Sequence, residues 1–498
     1  MSSRFLRAAA PLLLAFSANA AAQTPAPITP QQMMRHIEVL ASDEFEGRAP
    51  ATAGETKTTD YIVAQLGARG FEAGGPDGSW YQPVPLIERR AGSHRARWFA
   101  GGRQIAFDEG RIILAGRQPT QTLERAPAIF VGHGLVDPAR GIDQLAGAEL
   151  EGAIAFVLLD GPQVPGFPTL EERAATLAAA GAVAVVAIVA DEVPWANLVS
   201  GSRERRTELD SDAMPPIFGA IPAGELTRLV DAAGGNFEAL LNEQPGPSFR
   251  AVPLALSGSM EITTEIRRFR SNNVVGRLRG SAGGESVLLM GHWDHLGLCR
   301  PEGEADRICN GAVDNASGIA MLIEVAGRLS AGRRPERDLI VLATTVEEVG
   351  LLGAKHFAAW PTVPLGSIVA AINLDTVAIH GAGEPVAIIG RGTPELDMAI
   401  AETAAALGRR MDTTYAADAF IRRQDGWAFT RAGVPSVMVG GSFANMDVLQ
   451  AFLAGNYHGP DDEVRSDIPL EGAAEDANLL VALVRRLASP AQYRPAQR

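Results

Sequence analysis

Cysteine is nearly absent from this chain: only Cys299 and Cys309 occur in 498 residues. That scarcity excludes a disulfide-knit scaffold. It also argues against a thiolate-rich zinc site, since two thiolates need further soft partners and the neighbouring carboxylates are hard ligands. In an oxidising compartment the pair can join and close a short loop; otherwise both stay free thiols. Positive charge is short as well: 44 Lys and Arg face 58 Asp and Glu, for a formal net charge of −14, which argues against a nucleic-acid partner. Past the N-terminus no apolar stretch reaches membrane-spanning length without a charge, proline or glycine, so no span is expected in the mature chain. Repeats and low-complexity tracts are missing too. What is present, 46% hydrophobic and 20% charged residues, suits a globular protein. The length exceeds one ordinary core and predicts at least two domains.

The first residues carry Arg4 and Arg7, then an apolar run from Ala8 to Ala18, then small residues at Ala18, Ala20 and Ala22. This pattern predicts a cleavable signal over residues 1–22 and export to the periplasm or the exterior. A proline-spaced linker, Pro25 to Pro30, precedes two amphipathic helices within 31–70, separated by a loop over 42–56. Residues 84–114 read as short strands joined by Gly101-Gly102 and Gly110. The first part of the main domain is thus placed at 27–114. A different texture follows over 126–252: short buried-type strands at 128–135, 153–159 and 182–189, with an alanine-rich helix at 170–181. It predicts a smaller inserted α/β domain.

From 256 to 490 strands and helices alternate, which predicts an α/β fold with a mostly parallel, mixed sheet sandwiched by helices. Strands are expected at 273–278, 286–290, 339–344, 367–374, 386–389 and 436–439, and helices at 317–330, 351–360, 394–407 and 471–488. In such sheets the site lies beyond the carboxyl ends of the strands.

His292, Asp294, Glu347, Glu348 and Asp375 all follow expected strands closely, Asp314 precedes a helix, and His458 lies in a Gly/Pro loop. A co-catalytic pair of zinc ions needs a shared carboxylate with N and O ligands on either side. Asp314 suits the bridge, His292 with Asp375 one ion, and Glu348 with His458 the other. Asp294 is too close to His292 to join it easily on one ion and suits a supporting role, fixing that ring's tautomer. Glu347 then becomes the general base, and the Tyr457 hydroxyl a donor to the oxyanion. Each residue alone has an ordinary reading: a solvated helix start for Glu347-Glu348, a turn for Asp375, an N-cap for Asp314, a surface loop for His458. Their common placement along the strand order is what argues for a site.

The motifs GHWDHLG, GAVDNASG, VEEVGLLGAKHF, INLDT and YHGPDDEV, with the upstream LASDEFEGRAPATAGETKTTDYI, resemble in order and spacing the secreted co-catalytic zinc exopeptidases that include bacterial leucyl aminopeptidase and glutamate carboxypeptidase. The resemblance implies the zinc-exopeptidase (phosphorylase/hydrolase-like) fold, two Zn²⁺ per chain on His292, Asp314, Glu348, Asp375 and His458, Glu347 as base, and peptide or protein substrates. It also implies a cis bond after Asp314. The inserted region is similar to a protease-associated domain. Many relatives have an acid where Val313 stands, but not the bridging one; Gly426 replaces a histidine common in relatives and bears on the substrate pocket.

An aminopeptidase is the leading reading. A carboxypeptidase or dipeptidase of the same architecture would use Arg422 or Arg423 on a substrate carboxylate. A glutaminyl cyclase and a catalytically inactive binding protein are the remaining alternatives. His295, His356 and His380 read as packing or surface residues, and His133 lies away from the motifs.

Overall fold

The computed structural model describes residues 26–495 apart from 163–166, 212, 243–245 and 247; the expected signal segment lies outside the described residues. Thr29 and Gln32 form a reciprocal cap on the helix Pro30–Leu40, with proline in its first turn. The stripe Met33, Ile37 and Leu40 of that helix is fully or almost fully buried.

A large mixed sheet organises the chain. From one edge its order is Ala387–Ile389, Ser436–Gly440, Ile368–Asn373, Ser286–His292, Asp338–Thr344, Val252–Leu278, Thr120–Phe130, Ile154–Leu158, Ala184–Val189, Ile217–Pro222 and Ile113–Gly116. Ser436–Gly440, Ile368–Asn373, Ser286–His292 and Asp338–Thr344 run parallel. A second parallel group runs from Thr120–Phe130 to Ile217–Pro222. Helices coat the first parallel group on both faces, so Ser286–His292, Asp338–Thr344 and Ile368–Asn373 are buried at every position rather than alternating. The period of two still sorts side chains by face. Val287, Leu289, Val341 and Ala343 pack with helices Gly318–Ser330 and Leu470–Leu487. Leu288, Met290, Ile340 and Leu342 pack with Phe357 and Phe429 from helices Leu352–Ala359 and Gly426–Arg431.

The strands and helices expected beyond residue 280 are found within a residue or two of their places, while the strand expected at 273–278 is the end of a longer one, Val252–Leu278. Residues 84–114 differ. The short strands Arg103–Ile105, turned at Gly101-Gly102, and Ile113–Gly116 are present, but Tyr81–Ala100 forms one strand of 20 residues, because it pairs with Val252–Leu278, itself 27 residues long, from Tyr81↔Val274 to Phe99↔Ser257. A distant partner, not local composition, sets its length. Gly92 is needed there: a Cβ would meet Thr263 at 2.6 Å, beside a register shift in the ladder. A second core, with Trp98, Phe130, Phe156, Ile188 and Phe237, fills the smaller half; it draws Ala96 and Leu114 from before residue 126 and Leu254 to Ile262 from after 252. Cys299 and Cys309 form a disulfide. Among the described residues no helix is long and apolar enough to cross a membrane.

Candidate metal centre

The neighbouring strand ends at His292, Thr344 and Asn373 open onto one place. His292 sits in the last pair of its strand, opposite Thr344. Its Nε2 lies 3.2 Å from Asp314 Oδ1 and 3.4 Å from Asp375 Oδ1. On the other side, His458 Nε2 lies 3.4 Å from Asp314 Oδ2 and 2.8 Å from Glu348 Oε2. Asp314 therefore offers one oxygen to each group. Ligand atoms of His292, Asp314 and Asp375 fall within 4.8 Å of one another, as do those of His292, Glu347 and Glu348. The peptide bond between Asp314 and Asn315 is cis, as the resemblance implies.

Asp294 supports the site in a different way from the one expected. Its carboxylate is 4.0 Å from His292 Nδ1, whereas its main-chain carbonyl is 3.1 Å away and takes the ring's contact. The carboxylate instead accepts the backbone N–H of Glu347 at 3.1 and 3.2 Å. It thus fixes the start of the Glu347-Glu348 turn. Burial pushes Asp294 up to about 8, with His292 opposing. For Asp314 burial pushes the same way, but hydrogen bonds to His292 and His458 outweigh it and hold the carboxyl well below its ordinary range. Tyr457 stacks on the His458 ring at 3.7 Å. Burial, then the carboxylates of Asp314 and Glu348, raise its hydroxyl well above the ordinary tyrosine value, so it stays a proton donor.

The donor set fits hard divalent cations. Asp294, Asp314, Glu348 and Asp375 crowd together with neutral-capable imidazoles, and the buried guanidinium of Arg48 beside them is spent on backbone carbonyls. Buried carboxylates in such excess need positive charge.

Several neighbours of this centre escaped the reading from sequence. His295, expected to pack structurally, lies inside: its Nδ1 is 2.5 Å from Glu348 Oε1, and it joins Asp314 and Glu348 in a third ligand-like group. Arg48, buried, donates to the carbonyls of Trp293, Leu40, Asn310 and Gly311, tying the upstream segment to the loops of His292 and Asp314. Burial lowers it to about 10. The Asn315 amide reaches His292 O and Leu374 O, while its oxygen accepts from Gly318 and Thr376. Asp462 accepts the N–H groups of Val313 and Asp314. All four lie within the quoted motifs, and their partners are mostly main-chain groups, which no side-chain pattern announces. Asp425 accepts from the Thr344 hydroxyl. Arg422 and Arg423 are exposed, lying over the rings of Trp427 and Phe420. His356 packs on Trp360, and His380 Nδ1 meets Gly381 O.

Residues 273–484 match the profile of Peptidase family M28. A probable glutamate carboxypeptidase of Arabidopsis thaliana, AMP1, is 27% identical over 216 residues, 41% of this chain and 28% of that protein. The chain thus aligns with well under half the length of this plant relative. The probable lipoprotein aminopeptidase LpqL of Mycobacterium tuberculosis is 25% identical over 446 residues, 85% of this chain and 75% of its own. Among solved structures, an aminopeptidase from Aneurinibacillus sp. strain AM-1 superposes with a TM-score of 0.48 at 18% identity, covering 94% of this chain and 95% of the other. The matched segment 273–484 holds His292, Asp314, Glu347, Glu348, Asp375 and His458, residues gathered at this centre by the strand ends and the loops beside them.

Proposed function

We propose that the protein is a di-zinc aminopeptidase that releases N-terminal residues from peptides. The observation that carries this reading is the division of Asp314, whose Oδ1 faces His292 and whose Oδ2 faces His458. His292, Asp314 and Asp375 would hold one ion, and Asp314, Glu348 and His458 the second. Bound zinc supplies Lewis acidity, which brings water's pKa toward neutrality and polarises a carbonyl.

The chain's own residues do the rest. Glu347, held by Asp294 at its backbone N–H, takes the proton from the attacking water and delivers it to the departing amine. The Tyr457 hydroxyl, kept protonated by its surroundings, donates to the oxygen that gains charge. The excess of carboxylates favours a substrate ammonium. The mycobacterial relative's name, a probable lipoprotein aminopeptidase, supports the same direction. Residues 126–252 are proposed as a protease-associated unit inserted into the peptidase. Export through the 1–22 segment to the periplasm or exterior is supported by the Cys299–Cys309 disulfide.

The test combines metal analysis with a substrate panel. Two zinc per chain and hydrolysis of aminoacyl but not N-blocked dipeptides are expected. Preferential cleavage of N-blocked dipeptides would replace the aminopeptidase reading with a carboxypeptidase one.

A further inference from the structure

Away from the metal centre, the smaller half contains a cavity of about 220 Å³. It lies on the sheet strands Ala184–Val189 and Ile217–Pro222 and is walled by Leu159, Leu170, Val189, Leu198 and Phe218. Its volume is enough for a ring-sized apolar guest. Binding pockets are typically apolar with a few polar groups that orient the ligand.

Arg89 supplies such a group here. It lines the cavity, is 9% exposed, and its Nε–H has no partner among the described residues. Its Nη2 holds Glu208 at 2.5 and 2.6 Å and its Nη1 reaches Gly116 O at 3.3 Å, so Nε is the guanidinium nitrogen left without an acceptor. A buried donor without an acceptor is costly, and a ligand oxygen would satisfy it. The charged groups at the wall itself balance, and behind Arg89 the ion-pair cluster of Arg89, Arg117 and Arg268 with Glu208 and Asp210 carries one cation more than it has carboxylates, so an acid is favoured over a base at the Nε–H. Glu204 and Arg206, also at the wall, offset each other.

We propose that this cavity is a second ligand site, separate from the metal centre, which takes a carboxylate bearing an apolar group of phenyl or branched-alkyl size. Such chemistry belongs to the C-terminal residue of a hydrophobic peptide and to a free aliphatic acid alike.

The experiment titrates the full chain with N-acetyl-leucine, 4-methylpentanoate and 4-methylpentanamide by calorimetry and by thermal shift. At least one of the acids is expected to saturate at about millimolar concentration or below, with the amide weaker by about tenfold. Tighter binding of N-acetyl-leucine assigns the site to peptide termini, and tighter binding of 4-methylpentanoate to free acids. Ala187→Leu, which fills the cavity, should abolish binding, and Leu198→Trp provides the same test from the helix Trp195–Ser202 should the first variant not fold. Arg89→Lys, which keeps a charge for Glu208 but lacks the Nε–H, should weaken the acids by about tenfold. No saturable binding by the wild type, or binding unchanged in the filled variants, overturns the proposal.

Discussion

The carboxylate of Asp462 accepts the backbone N–H of Asp314 through Oδ2 at 3.0 Å, while its other oxygen takes the N–H of Val313 at 2.9 Å. Burial pushes Asp462 up to about 6, with those N–H groups opposing. The bridging candidate is thus aimed by an acid more than a hundred residues downstream. Asp462→Asn leaves one acceptor oxygen and places an amide against an N–H. Zinc affinity should fall about 10- to 100-fold. Competition against a chromogenic chelator measures this, and an affinity equal to the wild type would show that Asp462 does not orient Asp314.

Glu347→Gln keeps the shape of the turn and the N–H held by Asp294 but cannot carry a proton. Turnover should drop by about 10²- to 10⁴-fold with metal content retained. Side-by-side kcat and metal analysis separates the two; undiminished kcat would transfer the base role to another residue.

Acid should weaken the fold partly through Glu324, which is 4% exposed. The hydrogen bond from His36, then Arg69, lowers its pKa to about 2, although burial opposes. A depressed carboxyl pKa contributes stability that is complete above its unfolded value near 4.5 and is lost as pH falls toward about 2. Urea unfolding across that window should show wild-type stability falling by about 2 kcal/mol more than that of Glu324→Gln. Parallel acid limbs for the two proteins would refute the assignment.

The disulfide joins residues separated by 10 positions. Its loss in a Cys299→Ser, Cys309→Ser double variant should cost about 2–3 kcal/mol, read as a lower melting temperature. Since Cys309 Sγ lies 3.7 Å from the His458 carbonyl, zinc affinity should fall as well. Identical melting curves would mean that the bridge constrains nothing.

The catalytic half was legible because its signals are local. Strand-ending apolar runs and the acids and histidines just beyond them needed no knowledge of distant partners, and His292, Asp314, Glu348, Asp375 and His458 converge as their places in the strand order imply. Residues whose roles depend on remote main-chain atoms were not legible. Arg48 reads as a surface cation until Asn310 and Gly311 arrive beside it, and Asp294 looks like a partner for His292 until the Glu347 N–H takes it. The length of Tyr81–Ala100 was hidden for the same reason: its partner lies at Val252–Leu278.

That long ribbon also governs how the molecule can move. Val252–Leu278 is hydrogen-bonded to Thr120–Phe130 over 252–263 and to Asp338–Thr344 over 274–278, whereas over 264–273, between those two ladders, it pairs with Tyr81–Ala100 alone. That stretch can twist without parting the ladders that anchor its two ends. Any movement of the smaller half relative to the metal centre is therefore expected as torsion along residues 264–273 rather than as a break in either sheet half.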